Sequence, residues 1–87
     1  MKTRLVLSSA FKRQLKRLIK KNPPLKNKVN KVLKTLLKGK NSPSLKIHKL
    51  SGENNWSVSV TYEIRIVVHL DAESIFCLRI GTHDQVY

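Results

Sequence analysis

The apolar residues of this chain change their period once, and that change constrains the fold more than any other feature of the sequence. Before the turn-forming stretch Ser51-Gly52-Glu53-Asn54-Asn55 they recur every three or four residues, and after it every two. The first spacing suits helices packed by one face, and the second suits strands half-buried in a sheet. Phe11, Leu15, Leu18 and Ile19 make one helical stripe, and Leu25, Val29, Val32, Leu33, Leu36 and Leu37 make another. Asn22-Pro23-Pro24 ends the first helix and opens the second, because proline is tolerated in a first turn. Ser8 or Ser9 can cap the first helix, and Gly39 is a natural stop for the second. So short a connection predicts antiparallel neighbours.

Leu5-Val6-Leu7 reads as a short strand ahead of the helices, and residues 45 to 50 read as extended or loop-like. Three alternating runs follow. Trp56, Val58 and Val60 carry the first, Ile64, Ile66, Val68 and Leu70 the second, and Phe76, Leu78 and Ile80 the third. Asp71-Ala72-Glu73 turns the second run into the third. With 87 residues the chain makes one domain, spanning 1–87. The expected fold is α+β in the order β-α-α-β-β-β. The N-terminal strand belongs with an antiparallel sheet, and the two antiparallel helices pack on one face of it.

Charge narrows the function. The chain has 18 Lys and Arg against 5 Asp and Glu, a formal net charge of +13. Residues 1 to 50 hold 16 of the basic residues and no acid, and the remainder is 2 − 5 = −3. Like charges at helical spacing repel, so a stretch this one-sided points to a polyanion that supplies the counter-charge. Nucleic acid or an acidic protein fits better than solubility alone. Cys77 is the only cysteine, which excludes an intramolecular disulfide and a thiolate metal cluster and suits the cytoplasm. Leu5 to Ala10 is too short for a signal-peptide core and Lys12-Arg13 follows it, and no apolar run approaches membrane-spanning length.

If the apolar sides of the strands coincide, the other side carries Ser57, Ser59, Thr61, Arg65, His69, Cys77 and Arg79. Pairing Leu70 with Ser74 would set Arg65 directly opposite Arg79, an arrangement that repels unless an anion sits between them. Arg79 runs into Gly81-Thr82-His83, and Gly81 allows the chain to leave the sheet so that His83 and Tyr87 reach the arginines. Guanidiniums suit phosphate oxygens, imidazole transfers protons near neutral pH, and a phenol can stack on a base. His48 is flanked by lysines just before the turn into the sheet, and as a neutral imidazole it can act as a base. Lys46 and Lys49 beside it, with Lys12, Lys16 and Lys20 on the first helix, are candidate RNA contacts. No histidine pair has zinc spacing and the acids are scattered, so neither metal nor cofactor is expected. Plainer readings stand alongside: His83 as a cap, Arg65 paired with Glu63 or Glu73, His69 in solvent, Trp56 in the core, Cys77 as a small buried filler.

The order of elements, Arg79 through Tyr87, and the segment His48-Lys49-Leu50-Ser51-Gly52 resemble the RelE/ParE superfamily of type II toxins, most of all its YafQ branch. The resemblance spans nearly the whole chain. It implies a metal-independent mRNA interferase that cleaves message in the ribosomal A site through the nucleotide's own 2′-hydroxyl. By position, His83 would be the general acid, His48 a base or an orienting group, Arg79 and Arg65 the phosphate clamp, and Tyr87 a positioning aromatic. It also implies contacts with ribosomal RNA, an acidic cognate antitoxin through which the complex binds DNA, and no membrane. The YafQ branch carries a histidine on the second strand and an Asp-Trp pair after it. Here Ser57, Ser59 and Thr61 occupy that strand and Glu63 is the nearest acid, which leaves the base to His48 or to no side chain. A gyrase inhibitor of the ParE kind and a non-catalytic RNA-binding module remain as alternatives on the same sequence.

Overall fold

The structure, a computed structural model, describes residues 4–38, 47–50 and 55–82. Seven elements follow one another: β1 (Arg4–Leu7), α1 (Ser9–Lys21), α2 (Leu25–Lys38), β2 (Ile47–Lys49), β3 (Asn55–Ser59), β4 (Ile64–Leu70) and β5 (Ser74–Thr82). The strands form one sheet in the order β1-β5-β4-β3-β2. Two features refine the sequence reading. Residues 47 to 49 are an edge strand paired with β3, and β1 runs parallel to β5, so the sheet is mixed. A strand at the start of the chain reaches β5 only after both helices, and such a crossover permits parallel pairing.

Both helical stripes pack on one face of this sheet. Phe11 of α1 and Leu25, Val29, Leu33 and Leu36 of α2 meet Val58, Ile66, Val68, Ile75, Cys77 and Ile80 in one cluster. Burial pushes the Cys77 thiol up to about 12. Since the thiolate is the reactive form, Cys77 in the folded protein is expected to resist iodoacetamide at pH 8 and to react once denaturant is added. Mass spectrometry reads this directly, and rapid labelling of the native chain would contradict the packing.

The third alternating run behaves differently from its pattern. Val67 pairs with Arg79 but Val68 pairs with Cys77, so Leu78 is an extra residue, a β-bulge. Each bulge residue reverses the alternation beyond it. Ile75 and Cys77 therefore face the helices before the bulge, Ile80 faces them after it, and Phe76 lies on the other side against His69. The expectation that Phe76, Leu78 and Ile80 share the helix face fails for Phe76, and Cys77 moves from the polar face into the core.

Helix α1 holds the bulged strand. Strand β1 ends at Leu7, opposite Cys77, while β5 continues to Thr82. Past that point α1 satisfies the exposed edge. Ser8 N–H donates to Cys77 O (3.0 Å), and Ser8 Oγ donates to Leu78 O (2.8 Å). Ile80 N–H donates to Gln14 Oε1 (3.0 Å). Ser8 is also the N-cap, its Oγ accepting from Phe11 N–H at 3.0 Å. Ser8→Ala removes a cap and an edge contact together, and should lower stability by ~1–2 kcal/mol. In urea the midpoint should fall with an unchanged slope; an unmoved midpoint would show that the edge is held by other means.

Candidate functional site

The face of the sheet away from the helices is organised in transverse rows. Antiparallel partners share a face, so the register lays out each row across the strands. One row runs His48, Ser57, Val67, Arg79 from β2 to β5. The next runs Ser59, Arg65, Gly81. A third, on the other side of the first, runs Asn55, His69, Phe76.

These rows correct the expected arginine pair. The turn pairs Leu70 with Ile75 and the bulge adds a further step, so Arg65 faces Gly81 and Arg79 faces Val67. The two guanidiniums share a face on neighbouring strands but are offset diagonally. Diagonal Cα atoms on adjacent strands lie roughly 7–8 Å apart, within reach of long side chains converging on one anion. The direct repulsion of an opposed pair is avoided. Neither arginine has a carboxylate partner among the described residues, so the Glu63 or Glu73 pairing for Arg65 is not formed. Arg65 is half-buried, and Arg79 and His48 are exposed.

His48 and Arg79 stand at the two ends of the first row. Three strand spacings separate their backbones, roughly 14 Å at about 4.8 Å per strand. The imidazole and the guanidinium therefore do not touch, which leaves a lateral gap between the two side chains along the row. Beneath that gap lie Ser57 and Val67, at 0% and 3% exposure, although both point away from the helices. The centre of this face is shielded from water. Val67 lies outside the helix-side core cluster, and Ser57 is the one buried polar residue among the described residues. Its Oγ has no hydrogen-bond partner. A buried hydroxyl left this way costs about 1–3 kcal/mol, a cost that folding alone gives no reason to retain.

Four neighbouring polar side chains, Asn55, His69, Ser59 and Thr61, are engaged. His69 Nδ1 and Asn55 Oδ1 lie 2.9 Å apart, and His69 also packs on Phe76 with ring centroids at 6.0 Å. His69 is thus a structural side chain, where the sequence suggested solvent. Ser59 Oγ donates to Thr61 O at 3.0 Å, and Thr61 Oγ1 accepts from Ile64 N–H at 3.1 Å. Both close the turn between β3 and β4. The sequence hid Ser57 because a serine in an alternating strand reads as exposed; its place opposite His48 depends on β2 being a strand.

The remaining candidates divide. His83 and Tyr87 lie outside the described residues, as do Lys46 and Gly39. Lys49 sits on the helix side of the sheet edge, with Nζ 5.8 Å from the Trp56 ring centroid, a cation–π contact. Lys12, Lys16 and Lys20 form an exposed stripe on α1. The stripe belongs to the helix layer, on the opposite side of the sheet from the arginine rows. Among the described residues no group of three His, Cys, Asp or Glu side chains gathers as a metal cage.

No protein-family model matches the sequence, and no curated protein matches it. Solved structures do. The YafQ toxin in the E. coli DinJ–YafQ toxin–antitoxin complex superimposes with a TM-score of 0.85 at 20% identity, covering 100% of this chain and 99% of that one. The chain has the RelE-like toxin fold. A metal-bound toxin from Helicobacter pylori shares that fold with a TM-score of 0.74 at 24% identity, covering 100% of both chains. A YoeB/ParE toxin from Agrobacterium tumefaciens gives 0.78 at 18% identity, covering 93% of this chain and 99% of that one. In this toxin fold the arginine rows occupy the face left open by the helices.

Proposed function

We propose that this chain is the toxin of a type II toxin–antitoxin module and a metal-independent endoribonuclease that cleaves message in the ribosomal A site. The observation that carries the reading is the set of side chains gathered on the face away from the helices. Two arginines that have no carboxylate partner among the described residues share that face with His48, and together they offer two cations and an imidazole to a phosphodiester. The toxin fold and the +13 charge agree with it.

In the proposed reaction His48 takes the proton of the 2′-hydroxyl, and the freed oxygen bonds to the adjacent phosphorus. The bond to the 5′ oxygen breaks, and His83 gives that oxygen its proton. The products are a 2′,3′-cyclic phosphate and a 5′-hydroxyl end. Arg79 and Arg65 hold the non-bridging oxygens while negative charge grows on them, and Tyr87 positions a base. The lysine stripe on α1 meets ribosomal RNA, so binding weakens steeply with salt. The toxin works in the cytoplasm, and an acidic antitoxin neutralises it.

A translation extract with a defined message tests this. Wild type should cut at A-site codons, and His83→Ala should leave the message whole. Intact message with both proteins would end the nuclease reading; inhibition of gyrase supercoiling alongside it would favour a ParE-like activity instead.

A further inference from the structure

We infer that Ser57 is a positioning residue for His48, its buried hydroxyl held in reserve for the imidazole across the strand pair. The inference builds on the proposed role of His48, and it starts from the unpartnered Oγ at 0% exposure. That atom is closed to solvent, so its partner must be a side chain already beside it. Among the described residues the register leaves few, and the long side chain of Arg65 stands diagonal to Ser57, not opposite it. On β4 its neighbour is Val67, which has no polar atom. Two residues away on its own strand and face, Asn55 is bound to His69 and Ser59 to Thr61 O. On β2 its direct partner is His48. Directly opposed side chains have Cβ atoms about 4.5–5.5 Å apart, and a rotation about either χ1 brings hydroxyl and ring nitrogen into contact.

Such a contact fixes what an exposed imidazole on an edge strand otherwise lacks. Two ring nitrogens compete for the proton, and the hydrogen bond made by one decides the state of the other. With Ser57 engaging the sheet-facing nitrogen, the outward nitrogen is held toward the gap before Arg79. Ser57 touches no substrate in this arrangement and acts through His48. Its hydroxyl weakens the resting fold and improves the site, a combination that a purely structural serine does not produce.

Ser57→Ala separates the two roles. The variant should melt at the same temperature as wild type or higher, because it removes an unsatisfied buried group. Its rate of message cleavage should fall by about tenfold, at the low end of general acid–base effects, and the His48→Ala background should show no further loss on adding it. Ser57→Cys, close in size and able to make a weak hydrogen bond, should recover part of the rate. Independently of activity, nitrogen NMR of the His48 ring with a bound 2′-deoxy oligonucleotide, which cannot be cut, should show a changed tautomer ratio in Ser57→Ala. Unchanged His48 tautomers, a lower melting temperature, or a loss that adds to that of His48→Ala would each overturn the inference. If wild type itself fails to cleave message, the nuclease reading falls while the melting and NMR results still decide the Ser57–His48 contact.

Discussion

Arg79→Ala is expected to slow message cleavage by about 10²–10³-fold, the usual cost of removing one group that stabilises developing charge, with no loss of folded protein. The side chain is exposed and outside the core cluster. Its backbone is held instead by the Val67 pairing, and the next residue is held by Gln14. The strand should therefore stay where it is when the guanidinium is removed. Arg79→Lys keeps the charge but loses the planar fork that grips two phosphate oxygens, so it should recover only part of the rate. Single-turnover cleavage on programmed ribosomes, with circular dichroism of the same samples, measures both halves. An Arg79→Ala protein as fast as wild type would remove the residue from the phosphate role.

Phe11→Ala should have the largest effect on the fold. The ring is at 0% exposure in the first turn of α1, where it meets both the second helix and the sheet. Truncating a buried phenylalanine costs about 3–5 kcal/mol. A domain of this size is held by roughly 4–13 kcal/mol, at about 0.05–0.15 per residue. Much of the stability, and at the low end all of it, hangs on one side chain. Its backbone N–H is also the one that Ser8 caps, so loss of packing loosens the grip of α1 on β5. Urea denaturation followed by fluorescence of Trp56 should show a broad loss of folded protein at 37 °C. A midpoint within experimental error of wild type would mean that the core closes without Phe11.

The sequence made the helices legible because their stripes have one period and clear punctuation. Ser8 as N-cap and Asn22-Pro23-Pro24 as the joint are where local chemistry decides the outcome. It made β3 and β4 legible for the same reason. It failed at β5, where Leu78 interrupts the alternation and no residue type announces a bulge. That failure reached the site: with strict alternation Arg65 and Arg79 face one another, and with the bulge they stand diagonally. Residues 47 to 49 read as ambiguous because a three-residue edge strand has too little pattern to declare itself. Without that strand His48 had no register, and the partnership with Ser57 was invisible.

The grip of α1 on β5 has a consequence for how the protein comes into being. Ser8 finds its partner at Leu78, 70 residues later in the chain. β5 lies between β1 and β4, so the sheet stays split until this late strand is made. Contacts between distant parts of a chain slow folding. A nascent chain lacking β5 has an N-terminal strand with nothing beside it, a core without Ile75, Cys77 and Ile80, and no Arg79. Closure of the sheet and placement of Arg79 on its open side are thus one event, which waits until β5 has been made.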